Sequence, residues 1–581
     1  MHHMLERAGT RLCAALVCAL FVSCSNGSGP TAAPATLASQ QTLSFPIQSE
    51  PATLDPAMIG SESESSIAQN IFDGLVKLDI NMNVVPDIAS DMPKVSPDGL
   101  TYTFTLRSDV TFSNGDRVTS QDVLYSWNRA AAMQGPYAPN FSIVAGYSTV
   151  SANQVSGPAL ESLLEKKDPS VTMSGLSAPD DHTVVVKLSS QAGWFTAALA
   201  QPASVASVVD QKAVKTDFDN WWAKTDTLVG TGPFKVAAHD VNHSFDMVAV
   251  PSWWGRPRPT LTRVHVDVVQ DPATAMTRYE QGSEDLYGYG DFSPPVADIA
   301  RFQSSATLKS QVVLAPSNKS YWVTFNLVAD PKRSAGGPFT LDQGKVAHDL
   351  REAFALAVDR TALAKVLCGE ISCAAATGGV VPRGMAGYAG DGTDPLAVYD
   401  PAKARTLLLS ADPSGTRTQG LVYAYDPDNP FNEPAARFIQ SSWQSNLGVR
   451  VELRAVPRTT FISDRLKGGY VMARDGWMGS YNHPQDWFDN LWGEAAGCPD
   501  VGCTSGYDTK AYDKLVAKAD AEPLSAAIPD YVALSRQVID DIVYIPLFYT
   551  VDAFLFKPYV LGAGSNNMFN YYWDQIQLLS H

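Results

Sequence analysis

Beyond residue 42 the apolar positions recur in two rhythms. Alternating runs at 101–106, 183–188, 264–269, 320–325 and 449–453 read as half-buried strands. Three-to-four-residue spacings at 120–132, 347–366, 401–409, 433–444 and 528–541 predict helices. Strands alternate with helices, so the fold class is mixed α/β. Asp98-Gly99 and Asn114-Gly115 are turn signals, and Thr119 or Ser120 can cap the helix that carries Tyr125 and Trp127.

One run breaks differently. In Val471-Met-Ala-Arg-Asp-Gly-Trp-Met-Gly-Ser-Tyr-Asn-His-Pro-Gln-Asp-Trp-Phe488 a strand pattern climbs to Gly476-Trp477, then gives way to small and polar residues and Pro484. Period two places Arg474, Gly476, Met478 and Ser480 on one side and Asp475 and Trp477 on the other. A buried strand that delivers an aromatic, an arginine and a hydroxyl to an irregular mouth is how binding clefts are commonly built.

The N-terminus points outside the cytoplasm. Arg7 and Arg11 precede an apolar stretch at 12–22, too short for a bilayer span of roughly 20 residues but suited to a signal peptide. It ends in Phe21-Val22-Ser23-Cys24, which resembles a bacterial lipobox and marks Cys24 for lipidation. The reading is a signal peptide at 1–23, a Gly/Ser/Ala/Pro tether at 24–42, and a body held on the outer face of the membrane by lipid alone.

The formal charge of −17 argues against nucleic acid as a partner. Of seven cysteines, Cys13 and Cys18 fall in the signal. Cys368, Cys373, Cys498 and Cys503 remain, and in an exported chain they read as two local disulfides, with a four-thiolate zinc site as the rival. His239 and His243 share i,i+4 spacing but flank a predicted turn and are read as lacking a carboxylate neighbour, so no metal is expected there, and no cofactor is expected elsewhere.

Several motifs occur in one order: Glu50-Pro51-Ala-Thr-Leu-Asp-Pro56, Ile71-Phe-Asp-Gly-Leu-Val76, Asp98-Gly-Leu-Thr-Tyr-Thr-Phe104, Phe112-Ser-Asn-Gly-Asp116, Gly230-Thr-Gly-Pro-Phe-Lys235, Arg351-Glu-Ala-Phe-Ala355, Tyr399-Asp-Pro-Ala-Lys403 and Ile545-Pro-Leu-Phe-Tyr549. Together they resemble the family 5 extracellular solute-binding proteins, known best as oligopeptide- and dipeptide-binding proteins of ABC importers. The resemblance implies a two-lobed periplasmic-binding-protein-like fold of class II, cluster C type, with a small domain inserted in the first lobe. The implied spans are 43–87, 226–317 and 544–581 for lobe 1, 88–225 for the insert and 318–543 for lobe 2, with crossovers near 316–321 and 542–546. It further implies a monomer that captures peptide between the lobes and passes it to permease subunits driven by a cytoplasmic ATPase, and no enzyme activity.

The same resemblance implies the site. The oligopeptide binders carry Ala-Arg-x-Gly-Trp-x-x-Asp-Tyr-Asn, whose Asp holds the peptide ammonium and whose Arg can hold a carboxylate. Here Arg474, Gly476, Trp477, Tyr481 and Asn482 match, while Ser480 replaces the Asp. A hydroxyl cannot supply the missing charge. Asp426, Asp475 or Asp486 would restore it, or the ligand carries no free amine there. Glu64 and Tyr425 are further candidates for ligand contact by analogy, Glu64 with helix capping and Tyr425 with a core position as the alternative. The departure at Ser480 also keeps open a sugar or metal-chelate ligand. A lipid-anchored hydrolase is the rival class, although no Gly-x-Ser-x-Gly, His-Glu-x-x-His or phosphate-loop motif is present.

Overall fold

A computed structural model describes residues 36–581 except 291, 331, 332, 334, 335, 500–502, 565 and 570. The signal, tether and Cys24 lie outside the described residues.

The first lobe is built on a four-stranded sheet in the order Thr42–Ile47, Arg263–Val268, Ser244–Ala249, Phe234–Asp240. The first pair is parallel and the others antiparallel. Phe45 is fully buried, and Trp573 from the C-terminal segment meets both Phe45 and Phe234 edge-on at centroid distances of 5.6 and 5.8 Å. The two ends of the body are tied there. Ala38 N–H donates to Leu578 O at 2.8 Å, and the Gln41 side-chain amide both donates to and accepts from the Leu578 backbone.

A second four-stranded sheet, Lys94–Val95, Thr101–Thr105, Thr183–Lys187 and Leu176–Asp180, forms the inserted unit with helix Ser120–Met133. That helix buries Trp127, whose indole N–H donates to Ala206 O at 3.0 Å. Its Arg129 forks onto both oxygens of Asp55 at 2.9 and 2.5 Å. Both partners are buried, and the guanidinium holds the Asp55 carboxyl below its usual range against the burial that opposes it.

The second lobe rests on a seven-stranded sheet in the order Leu286–Tyr287, Tyr544–Phe556, Val312–Phe325, Met472–Met478, Val422–Tyr425, Glu452–Ala455, with Cys373–Ala375 added on Tyr544–Phe556. The two longest strands pair antiparallel throughout and serve both lobes. Their lower half, from Val312↔Leu555 to Pro316↔Val551, lies beside Leu286–Tyr287, and Leu555 joins Tyr279, Tyr287 and Phe302 in a small separate core. Their upper half, from Ser320↔Tyr549 onward, lies beside Met472–Met478. The register slips between Pro316 and Ser320 and again between Tyr321 and Trp322, a local disruption that bends a strand and increases its twist.

Most predicted elements appear with shifted ends. Two differ in kind. The single helix expected at 347–366 is two, Lys345–Leu356 and Arg360–Cys368, because the Asp359 side chain accepts Ala362 N–H at 2.9 Å and starts a new helix. The strand expected at 449–453 is Glu452–Ala455, since its parallel partner begins only at Val422, opposite Glu452. Disulfides join Cys368 to Cys373 and Cys498 to Cys503.

Candidate functional site

Strand Met472–Met478 runs between Val312–Phe325 and Val422–Tyr425 and ends at the mouth of the cleft between the lobes. Gly476 lies opposite Tyr321, and a Cβ there would come within 2.8 Å of Ser320 O and 3.2 Å of the Tyr321 ring. Only glycine allows so close an approach. Past the strand, Gly479 N–H donates to Asn318 O at 3.1 Å and Asn318 Nδ2 donates back to Gly479 O at 2.7 Å. The register slip of one strand therefore fixes the turn of the other.

That turn presents Ser480 to a cavity of about 50 Å³, walled on the other lobe by Ser61, Glu62, Tyr137, Pro202 and Phe569. Ligand pockets enclose about 300–1,000 Å³, so a ligand of that size would require the cleft to widen. Several contacts bridge it. Lys319 pairs with Glu62 at 2.9 Å, and its ammonium lies 5.1 Å from the Phe569 ring centroid. Asn482 Nδ2 donates to Met82 O at 3.1 Å, while its Oδ1 accepts Ala386 N–H at 2.8 Å. Tyr481 stacks on Trp194 with centroids 6.0 Å apart.

Behind Ser480 sits Asp486, in the first turn of helix Gln485–Leu491 and 2% exposed. One of its carboxylate oxygens accepts Ser480 N–H at 2.5 Å and the Trp477 indole N–H at 3.3 Å. The other accepts Asn490 Nδ2 at 3.3 Å. Burial pushes its carboxyl up to about 7, against these hydrogen bonds, and no cation pairs with it among the described residues. The other two carboxylates that sequence offered as substitutes are neutralised. Asp475 binds Arg465 and the Thr504 hydroxyl, and Asp426 faces Arg474 at 3.7 Å and Arg458 at 3.9 Å. The Asp486 charge is also felt across the cleft. Tyr137 is pushed up by burial and then by the charges of Glu62, Asp486 and Glu64.

The remaining predicted residues are placed elsewhere. The Arg474 guanidinium turns into the second lobe, donating to Asn432 Oδ1 at 3.0 Å and lying 5.2 Å from the Tyr321 ring centroid. Glu64 caps its own helix, Glu62–Ala68, accepting Gly60 N–H at 2.8 Å and Ser61 N–H at 2.9 Å. Tyr425 does not line the cavity at Ser480. It faces a broad outer groove of the second lobe beside Arg437 and Gln440. His239 does have a carboxylate neighbour, Glu50 at 2.6 Å, but its ring stacks on Phe245 while His243 pairs with Asp240. Sequence reasoning passed over Glu62, Lys319 and Tyr137. The only local signal was Glu62 itself, a first-turn acid that the Ser61–Glu64 capping box leaves unused.

Comparisons with known proteins agree with this architecture. The chain is 27% identical over 562 residues to the periplasmic murein peptide-binding protein MppA of Escherichia coli, covering 95% of this chain and 96% of the relative. It is 25% identical over 563 residues to the periplasmic oligopeptide-binding protein OppA of the same organism, covering 94% of each. Among solved structures, the unliganded open form of the murein tripeptide-binding protein MppA superposes with a TM-score of 0.77 at 24% identity, over 94% of this chain and 99% of that one. Haemophilus influenzae OppA in complex with the peptide RPPGFSPFR gives 0.67 at 24%, over 94% and 100%. No helix among the described residues is long and apolar enough to cross a membrane. Residues 83–497 match the model described as bacterial extracellular solute-binding proteins, family 5, middle, and the chain belongs to that family.

Proposed function

We propose that the protein is an extracytoplasmic substrate-binding lipoprotein of an ABC importer, monomeric and without enzymatic activity, which captures peptides between its lobes. Cys24 carries the lipid, and permease subunits with a cytoplasmic ATPase receive the ligand. Lobe closure encloses the peptide, with Trp477 shaping the wall and Tyr481 and Asn482 joining the lobes at its edge. The observation that carries the reading is Asp486. It sets a buried carboxylate without a cation directly behind Ser480, where relatives place an aspartate, and so supports a ligand with a free amine over a sugar or a metal chelate. Calorimetry with a short peptide and its N-acetylated form tests this. The free-amine peptide should bind at least about ten-fold tighter, the scale of one charge-assisted hydrogen bond. Equal affinity would remove the ammonium from the site, and turnover of the peptide would favour a hydrolase. Anchoring has its own check. Cys24→Ser should release the protein from the membrane fraction, and full retention of that variant would refute lipidation there.

A further inference from the structure

The inserted domain holds a second cavity, of about 480 Å³, that shares no lining residue with the cleft at Ser480. This is within the size range of small-molecule sites, about 300–1,000 Å³. One face of helix Ser120–Met133 forms its floor, through Gln121, Leu124, Tyr125 and Asn128 at i, i+3, i+4 and i+7. Leu164, Met173 and Leu176 supply apolar walls.

The polar groups divide into satisfied acceptors and free donors. Glu161, beneath the cavity, is held by the Tyr125 hydroxyl at 2.5 Å, by Gln211 at 3.1 Å and more loosely by Lys215 at 3.9 Å. Glu165 takes the Lys215 ammonium at 2.7 Å. Asn128 is 7% exposed, and its carbonyl accepts Met173 N–H at 2.7 Å. Its amide nitrogen, in the cavity wall, donates to no group among the described residues. At the mouth, Lys167 stands in a left-handed backbone conformation at φ 52° and reaches Gln121 Oε1 at 3.0 Å, with no carboxylate partner among the described residues. An apolar chamber with an uncommitted amide donor inside and an unpaired ammonium at its rim matches a ligand with acceptors and a negative end.

We propose that this cavity is a second ligand site, taking a small amphiphile with an apolar body, a hydrogen-bond acceptor within it and an anionic head. The body packs on Leu124, Leu164 and Met173, the acceptor meets the Asn128 amide, and the head lies at Lys167. Dansylglycine has these three parts in one fluorescent molecule, and dansylamide lacks only the carboxylate-bearing arm. The full chain should give a saturable emission increase with dansylglycine at one site per chain. Leu124→Trp, which fills the floor, should abolish it. Lys167→Gln should weaken dansylglycine about ten-fold, one charge-assisted contact, while leaving dansylamide unchanged. Asn128→Asp keeps the acceptor for Met173 N–H, removes the donor, and should weaken both probes. Unchanged melting of Lys167→Gln, at an exposed position, confirms an intact fold. No saturable signal, or equal dansylglycine affinity in wild type, Leu124→Trp and Lys167→Gln, would overturn the proposal as adventitious dye binding.

Discussion

Arg474 and Asp486 lie on one continuous segment, a strand followed by a turn and a helix, yet their charges meet opposite treatment. Arg474 is surrounded by Asp426, Asn432 and the face of Tyr321. Asp486 is more deeply buried and has only neutral donors. A buried charge whose partner is already in the protein belongs to the scaffold. One without a partner is driven toward its neutral form by burial, and a cation arriving with a ligand would return it to the charged form. On the function proposed above, the residue most conspicuous in the sequence belongs to the scaffold, and the one behind Ser480 answers the ligand.

The largest effect should come from breaking the internal side of this contrast. Arg474→Ala leaves the buried Asp426 with Arg458 alone at 3.9 Å, and should cost about 2–4 kcal/mol of stability, near the value for stranding one member of a buried pair. Denaturant unfolding measures it. Unchanged stability with lost binding would return Arg474 to the ligand.

Asp486→Asn tests the opposite side. It preserves shape and one acceptor while removing charge, so binding of a free-amine peptide should weaken by about 1.5–3 kcal/mol with stability held or improved. Calorimetry and melting on the same sample separate the two.

The pH dependence sharpens the comparison further, because stability and affinity should move in opposite directions. A carboxyl whose pKa is raised in the fold contributes stability that is fully present below its ordinary range and lost as pH rises through about 7. Capture of an ammonium needs the ionised form. Affinity should therefore rise through the same window, approaching a ten-fold change per unit below about 7, and Asp486→Asn should flatten the profile.

The smallest effect concerns the contact across the cleft. Glu62→Gln removes one charge from its pair with Lys319 and should change affinity by about 0.5–1 kcal/mol, more at low than at high salt.

How far the chain could be read in advance follows from the range of each interaction. Strands at 101–106 and 183–188 were legible because alternation is a local property, and they pair with each other in the structure. The break at Asp359 was written in the sequence as a cap but hidden inside an unbroken helical rhythm. Ser480, Tyr481 and Asn482 come to the cleft together because one turn carries them all. Glu62, Lys319 and Tyr137 converge only through the packing of three separate elements, and no local pattern announces that. Choosing Asp486 over Asp426 and Asp475 required knowing which carboxylates face arginines, a fact of tertiary structure alone.

The burial of Trp573 against Phe45 and Phe234, with Leu578 bonded to Ala38 and Gln41, has a consequence for biosynthesis. Domains ordinarily fold from the N-terminal side as the polypeptide is made. Here the lobe that begins first is finished last, since its core lacks Trp573 and the Ala38–Gln41 segment that leads into its opening strand lacks its Leu578 partner until after the second lobe is made. A nascent chain must carry an incomplete first lobe while the whole second lobe is being synthesised. Trp573 and Leu578 act as a clasp that closes only after the second lobe has been made, so a product truncated before Trp573 would leave that core open to quality control.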